Sequence, residues 1–189
     1  MLRNTRVTIK NAEDQARLRV SGRLAADVLD MIAEHDVVLS AGHLHISEIY
    51  PLFEEAKKRG VKRLLVNHPT FLIGCSLDDI RALVALGAYI EHSFCMFIEM
   101  RRGKSPMCSP VELTQLIEAG SVERTILASD LGQAGNDRPV AGFRNIVGTC
   151  IDIGYSDAEI RRMISQNAAD LIGLDVAEQA AAGGRNAAA

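Results

Sequence analysis

Short apolar runs alternate with amphipathic segments along the chain, and this repeat predicts strands that alternate with helices. The predicted strands are VVLSA (37–41), RLLVNHP (63–69), AYIEHSF (88–94) and TILASDLG (125–132). Apolar residues follow one another in these runs, which is typical of strands whose two faces are both buried. The pattern therefore favours a parallel sheet over an antiparallel one.

Helical periodicity fills the segments between the runs. We predict helices over residues 24–35, 47–60, 76–87, 109–120, 140–153 and 157–173. Ser47 is the predicted N-cap of the second helix, and Ser109 and Ser156 each precede a glutamate by three residues, which is the spacing of a capping box. Strands and helices in this alternation predict an α/β fold of parallel βα units.

One domain accounts for most of the chain. The 189 residues, 48% of them hydrophobic, suffice for a single globular core. We expect this domain to span 24–175, after an N-terminal extension over 1–23 that holds a candidate short strand at 6–10. The tail over 176–189 is of low complexity and is predicted to be disordered.

Charge and cysteine usage exclude several classes of protein. A net charge of −3, with Lys and Arg scattered, argues against nucleic-acid binding. No run is long and apolar enough for a membrane span, and the first residues are too polar for a signal peptide, so we expect a cytoplasmic protein. The four cysteines are far apart and are predicted to be buried thiols, because no zinc-knuckle or disulfide spacing is present.

Polar residues stand at the carboxyl ends of all four predicted strands. These residues are His43, His68, His92 and Asp130, and the three histidines follow one another at intervals of 25 and 24 residues. In parallel α/β folds this edge of the sheet binds ligands. A single histidine there is most often structural, but a set of imidazoles with one carboxylate is a suitable ligand set for a divalent ion. We therefore predict a metal site, with His45 and Glu91 as additional candidate members.

The motifs SAGH, VNHP and LASD, followed by EIRRMISQNAADLIGLD, resemble the C-terminal half of the amidohydrolase superfamily over residues 24–175. The resemblance implies a (βα)8 TIM barrel with one or two divalent metals, zinc first and manganese or iron as alternatives. It implies that His43 and His68 are metal ligands on the fifth and sixth strands. It also implies that Asp130 is a metal ligand and the proton acceptor on the eighth strand. His92 follows the seventh strand, where the family has no fixed ligand.

The sequence departs from this family in one respect that bears on activity. The family's first strand carries an H-x-H pair, whereas no histidine here precedes His35. The four βα units amount to half of a barrel, which is incomplete by itself. In an alternative interpretation, His43-Leu44-His45 is itself the H-x-H pair, since residues i and i+2 of a strand share a face.

The resemblance implies hydrolysis of an amide, ester or related bond in a small molecule by a metal-bound hydroxide. Two alternatives remain at this level: an inactive half-barrel that serves as a binding or assembly module, and a metal-dependent decarboxylase or lyase on the same site. Two segments are candidates for substrate contacts, with the residues Arg101, Arg102, Gln133, Asn136 and Arg138.

An incomplete barrel also predicts self-association. Four or five parallel strands cannot close, so both edge strands would keep unpaired backbone groups. We expect the inner face of the sheet to be apolar, lined by residues such as Leu39, Leu65 and Leu127. Exposure of such a face would be costly, and we therefore expect a homo-oligomer.

Overall fold

A computed structural model of the protein describes residues 10–70, 73–97 and 108–174. The strands are β1 (Val38–Ser40), β2 (Arg63–Asn67), β3 (Ala88–Ser93) and β4 (Thr125–Ala128). The helices are α1 (Ala12–Glu34), α2 (Ile46–Lys58), α3 (Leu77–Ala85), α4 (Pro110–Gly120), α5 (Pro139–Asp152), α6 (Asp157–Arg161) and α7 (Asn167–Ile172), with a π-helical segment (Arg162–Gln166) between α6 and α7.

The described strands form one parallel sheet in the order β1-β2-β3-β4. Each strand coincides with one predicted apolar run and is followed by helix, so the predicted α/β class is confirmed. Each strand pairs in parallel with the strand that precedes or follows it in the chain, and helices connect them. Consecutive strands of a (βα)8 barrel are connected in the same way. β1 and β4 lie at the two edges.

The sheet has one face covered by helices and one inner face. Leu64, Val66 and Ile90 belong to the core cluster that includes residues of α2 and α3. Because side chains alternate between the faces of a strand, Leu65 lies on the inner face. The register pairs Leu39 with Leu64, so Leu39 lies on the helix-covered face.

The prediction that Leu39 and Leu127 line the inner face is therefore wrong. Leu39 packs on the core cluster that contains Leu64, Val66 and Ile90. Leu127 belongs to a second core cluster, which also contains residues of α4, α5 and α6. Alternation places Ser40, Asn67, Glu91 and Ser93 on the inner face instead. The inner face is consequently more polar near the carboxyl ends of the strands than the sequence pattern suggested.

Helix caps match the sequence prediction at two of three positions. Capping boxes are present at Ser109 and Ser156, as predicted. Ser47 is not the N-cap, because the N-cap of α2 is His45, two residues earlier. The His45 imidazole accepts a hydrogen bond from the Ser47 backbone N–H at 3.3 Å. Histidine is an uncommon cap, so propensity favoured the nearby serine.

The first helix is about twice as long as predicted. α1 begins at Ala12, where Asn11 forms a capping box with Asp14, and not at Leu24. Residues 12–22 are exposed or nearly so, and they lack the apolar stripe facing the core that the prediction depended on. The candidate strand at 6–10 lies almost entirely outside the described residues, as does the tail over 176–189.

The C-terminal helix closes the amino end of the sheet. The side chain of Asn167 is fully buried and donates to the Val122 and Thr125 carbonyls at 2.7 and 2.6 Å. Arg63 at the start of β2 donates to the carbonyls of Asp170 and Leu171. These contacts tie α7 to two strands.

The four cysteines are free. Cys95, Cys108 and Cys150 are buried, as predicted, whereas Cys75 is partly exposed. Burial raises the pKa of Cys75 to about 12 and that of Cys150 to about 11, so both remain protonated thiols at neutral pH. In the described part of the chain, no helix combines the length and the apolar character that crossing a membrane requires.

Candidate functional site

Two histidines meet at the carboxyl edge of the sheet. The Nε2 atoms of His43 and His68 are 3.2 Å apart, and the two ring centroids are 5.0 Å apart with a tilt of 32°. His43 follows β1 and is exposed, whereas His68 follows β2 and is buried. The sequence interval of one βα unit therefore brings two imidazoles from neighbouring strands together, each presenting the same ring nitrogen.

Left-handed backbone conformations help to place these rings. The chain leaves β1 through Gly42, whose φ of 58° is readily adopted by glycine, and the next residue is His43. His68 itself has a φ of 26°, which is rare for a histidine. Strained conformations of this kind persist where the surrounding structure imposes them, and they cluster at functional sites.

Asp130 lies two residues beyond β4 at the same edge. Its φ is 46°, a conformation that aspartate tolerates better than most residues. Its carboxylate accepts a hydrogen bond from the Cys95 thiol, with Sγ and Oδ2 3.3 Å apart. Burial and the neighbouring Asp130 raise the pKa of Cys95 to about 12, so this thiol is a donor at neutral pH and not a nucleophile.

Glu91 is a buried carboxylic acid on the inner face below this edge. Ser93 Oγ donates to Glu91 Oε1 at 2.6 Å, and Asn67 Nδ2 donates to Oε2 at 3.3 Å. The Ser40 hydroxyl donates to Asn67 Oδ1 at 2.5 Å, which extends the network to β1. Burial raises the pKa of Glu91 above its ordinary value, while the two hydrogen bonds and the charge of His68 act in the opposite direction.

His92 does not join the other histidines. It alternates with Glu91 and Ser93, so its side chain lies on the helix-covered face, where it is 2% exposed. Burial lowers its pKa to about 4, and the ring is therefore neutral at pH 7. Its Nε2 atom is buried, and no hydrogen-bond partner for it is found among the residues that the structure describes.

The other candidate residues fall into four groups. His45 caps α2 through Nδ1 and is exposed. In the segment after β4, Gln133 Nε2 donates to the Asp130 carbonyl, and Asn136 Nδ2 donates to Gln133 Oε1, so both stand beside the edge of the sheet. Arg138 is the exposed N-cap of α5. Arg101 and Arg102 lie outside the described residues.

The structure thus brings His43 together with His68, and Asp130 together with Cys95. His68 and Asp130 both affect the pKa of Glu91: His68 lowers it and Asp130 raises it. Among residues 10–70, 73–97 and 108–174, no three His, Cys, Asp or Glu side chains are arranged as a complete metal site. His43 and His68 are the two predicted ligands that the structure brings into contact.

Sequence reasoning missed Ser40, Asn67 and Ser93, which form the polar network with Glu91. These residues occupy strand positions at or near the carboxyl ends, where an apolar side chain would be expected in a strand buried on both faces. Polar residues in alternation near the end of an otherwise apolar strand were the available signal.

Comparison with known proteins supports the fold. A model of a family of unknown function, DUF6282, matches residues 6–91, which is a little under half of the chain. A search of curated proteins gave no match.

Several solved structures are similar to this chain, and two of them have a TM-score above 0.5 over more than three quarters of it. One is an amidohydrolase from Burkholderia multivorans with bound zinc, at 15% identity and a TM-score of 0.55, covering 79% of this chain and 57% of that one. The other is described as a putative 2-pyrone-4,6-dicarboxylic acid hydrolase from Pseudomonas putida, at 16% identity and a TM-score of 0.52, covering 78% and 56%.

At these identities the likeness shows the fold alone. The chain consists of parallel βα units of the kind that build part of a (βα)8 barrel. It spans little more than half the length of either solved structure.

Proposed function

We propose that this protein is a metal-dependent hydrolase of the amidohydrolase type, acting on an amide, ester or related bond of a small molecule. His43 and His68 are two of the metal ligands, and Asp130 is the third ligand and the acceptor of the proton from the attacking water. The observation that carries this proposal is the approach of the two histidine Nε2 atoms to 3.2 Å at the carboxyl edge of the sheet.

This separation fits two ligands of one ion. With Zn–N bonds of 2.0–2.1 Å and tetrahedral angles, two coordinating nitrogens lie about 3.3–3.4 Å apart. The observed 3.2 Å is close to that value. Without an ion, the same approach is a hydrogen bond in which one ring donates to the other, so the rings are held in place before a metal binds.

The remaining groups fit the proposed chemistry. A divalent ion, when bound, lowers the pKa of a coordinated water towards neutrality and so supplies a nucleophile at pH 7. Asp130 is exposed at the same edge and supplies a carboxylate. Glu91 adds a second acid whose protonated form is favoured by burial. The zinc-bound amidohydrolase of the same fold supports zinc as the first metal to test.

Metal binding tests the two histidines. Zinc titration followed by elemental analysis should give about one ion per chain, and His43→Ala or His68→Ala should weaken binding by more than about 100-fold, since loss of even an outer-sphere partner costs 10–100-fold. The control is His35→Ala, at the exposed end of α1. Full zinc retention in both His43→Ala and His68→Ala would show that the pair is not a metal site.

The proton acceptor is tested by Asp130→Asn. General base catalysis contributes about 10²–10⁴-fold, so turnover of a substrate identified by screening ester and amide libraries should fall at least 100-fold. The asparagine oxygen can still accept the Cys95 hydrogen bond, which keeps the local structure. Asp137→Asn, an exposed position in the same segment, is the matched control. An Asp130→Asn variant with unchanged rate would assign the proton to another group.

A binding or assembly module without activity is the second candidate function. It is favoured by the absence, within the described ranges, of a third residue arranged with His43 and His68 for metal binding. Zinc titration of the wild type and of His68→Ala distinguishes the two candidate functions. A hydrolase must bind zinc with His68 as a ligand, whereas a binding or assembly module need not.

A further inference from the structure

The first helix carries an apolar stripe that does not face the core. Val20, Leu24, Val28 and Met31 are 48–59% exposed, whereas Leu29 is the residue of α1 that is buried. At 100° per residue, the four exposed side chains fall within about 80° of one another on the helix surface. A stripe of this width and composition is typical of a helix face that packs on another helix.

The strand that follows α1 in the chain, β1, has an open edge. β1 pairs with β2 on one side, and on the other side it has no strand partner among the described residues. Val37, which leads into β1, is half-exposed. We call the α1 stripe and the free edge of β1 the α1 flank. Unpaired strand edges of this kind invite pairing with another strand.

The opposite end of the sheet has a complementary surface, which we call the α5 flank: β4, the outer side of α5 and the adjoining part of α6. Val140 and Ile151 of α5 are exposed by more than half. One cavity of about 350 Å³ is lined by Ser129, Pro139, Val140 and Phe143. A second, of about 250 Å³, has Val147, Ile151, Ile160 and Ile164 among its lining residues.

We propose that two copies of this chain pair head to tail, with the α1 flank of each copy packed on the α5 flank of the other. All four strands are parallel, so a two-fold axis along the strand direction sets β1 of one copy beside β4 of its partner, in parallel, at both junctions. The four described strands of each copy make eight in the pair, which is the number that closes a (βα)8 barrel.

The partner is a second copy because one chain supplies both halves of each junction. The apolar side chains of the α1 stripe project from the helix, and the two cavities of the α5 flank are lined mainly by apolar side chains that could accommodate them. Head-to-tail contacts close into a ring at two copies when each covers half of the circle, so no open polymer forms. Closure also covers Leu65 and Asn67, which are partly exposed on the inner face of one chain, and sets the two His43–His68 pairs around one mouth.

Sedimentation equilibrium at micromolar concentration tests this proposal. The wild-type chain should have about twice its mass of 20.5 kDa. The double variant Leu24→Glu/Val28→Glu should dissociate, with a dimer Kd weakened by at least about 100-fold, because charges replace two buried contacts at each junction. The matched control is Leu18→Glu, on the same helix and as exposed as Leu24, at 57% against 59%, but on a different face. It should remain a dimer.

A second variant distinguishes head-to-tail pairing from pairing of α1 with α1. Ile151→Glu alters only the α5 flank and should also be monomeric. An equimolar mixture of Ile151→Glu with Leu24→Glu/Val28→Glu should recover heterodimer, because one junction in the mixed pair is intact. Circular dichroism confirms that each variant is folded. A folded wild-type monomer, or an Ile151→Glu variant that stays fully dimeric, would overturn the proposal.

Discussion

Single residues at the strand ends behave according to the face on which they lie. His68 and Glu91 lie on or above the inner face, where they form hydrogen bonds with His43, Asn67 and Ser93. His92, next to Glu91 in sequence, is enclosed by the helix-covered core and is neutral. Adjacent residues of β3 therefore lie in different surroundings: Glu91 lies among polar groups of the candidate site, and His92 lies in the apolar core.

His92 should make the protein less stable in mild acid. Its pKa is lowered from 6.5 in the unfolded chain to about 4 in the folded one, so below pH 6.5 the unfolded state binds a proton that the folded state does not. The free energy of unfolding therefore falls as the pH decreases from about 6.5 to 4, by roughly 2 kcal/mol at pH 5.

Urea unfolding at pH 7.5 and pH 5 checks this dependence. His92→Leu should remove that part of the difference between the two pH values. The control His35→Gln, at an exposed histidine, should keep the wild-type difference. An equal pH dependence in His92→Leu would show that other groups are responsible.

Capping residues connect the helices to the sheet at the scale of elements. Ser76 caps α3 and forms a reciprocal pair with Asp79. Asp79 also accepts a hydrogen bond from the Tyr50 hydroxyl at 2.8 Å, which joins α3 to α2. The hydrogen bonds lower the pKa of Asp79, whereas burial, together with the bond to Asp79, raises the pKa of Tyr50 to about 12. One cap therefore organises two neighbouring helices.

Ser76→Ala should lower the free energy of unfolding by about 1 kcal/mol, the usual cost of losing an N-cap. The loss arises because the Asp79 N–H loses its acceptor and the carboxylate loses one donor. Chemical denaturation at pH 7 measures it. Ser21→Ala, the same substitution at an exposed position inside α1, should be within about 0.5 kcal/mol of wild type. Equal effects in the two variants would exclude a capping role.

Contacts distant in sequence hold the whole molecule together at its amino edge. Arg63 forms an ion pair with Asp36 at 2.6 Å and donates to two carbonyls at the end of α7, more than 100 residues away. The guanidinium donates to three acceptors in two segments of the chain, and its planar arrangement of donors suits this role better than an ammonium group. Gly173 also leaves the space that this side chain occupies.

Arg63→Lys should destabilise the protein although it keeps the charge, because a lysine ammonium cannot reach all three acceptors in the same geometry. We expect a lower urea midpoint and faster hydrogen exchange of α7 amides. Arg81→Lys, at an exposed ion pair with Asp78, is the control and should leave both unchanged. A normal α7 exchange rate in Arg63→Lys would show that other contacts hold that helix.

The sequence by itself determined the strands, most of the helices and two of the caps. These features depend on short-range physics: apolar runs, helical periodicity, and side chains such as Ser109 and Ser156 that bond to a backbone N–H three residues away. It also identified the strand ends as the place for His43, His68 and Asp130, because parallel βα units bring those ends to one edge.

Only the tertiary structure decided which of these residues meet. The position of a side chain on one face or the other depends on the register between strands, and a step of one residue moves it to the opposite face. That step separates His92 from His68 and places Leu39 in the helix-covered core. The His43–His68 contact likewise depends on the turn at Gly42 and the left-handed backbone of His68, which no apolar pattern encodes.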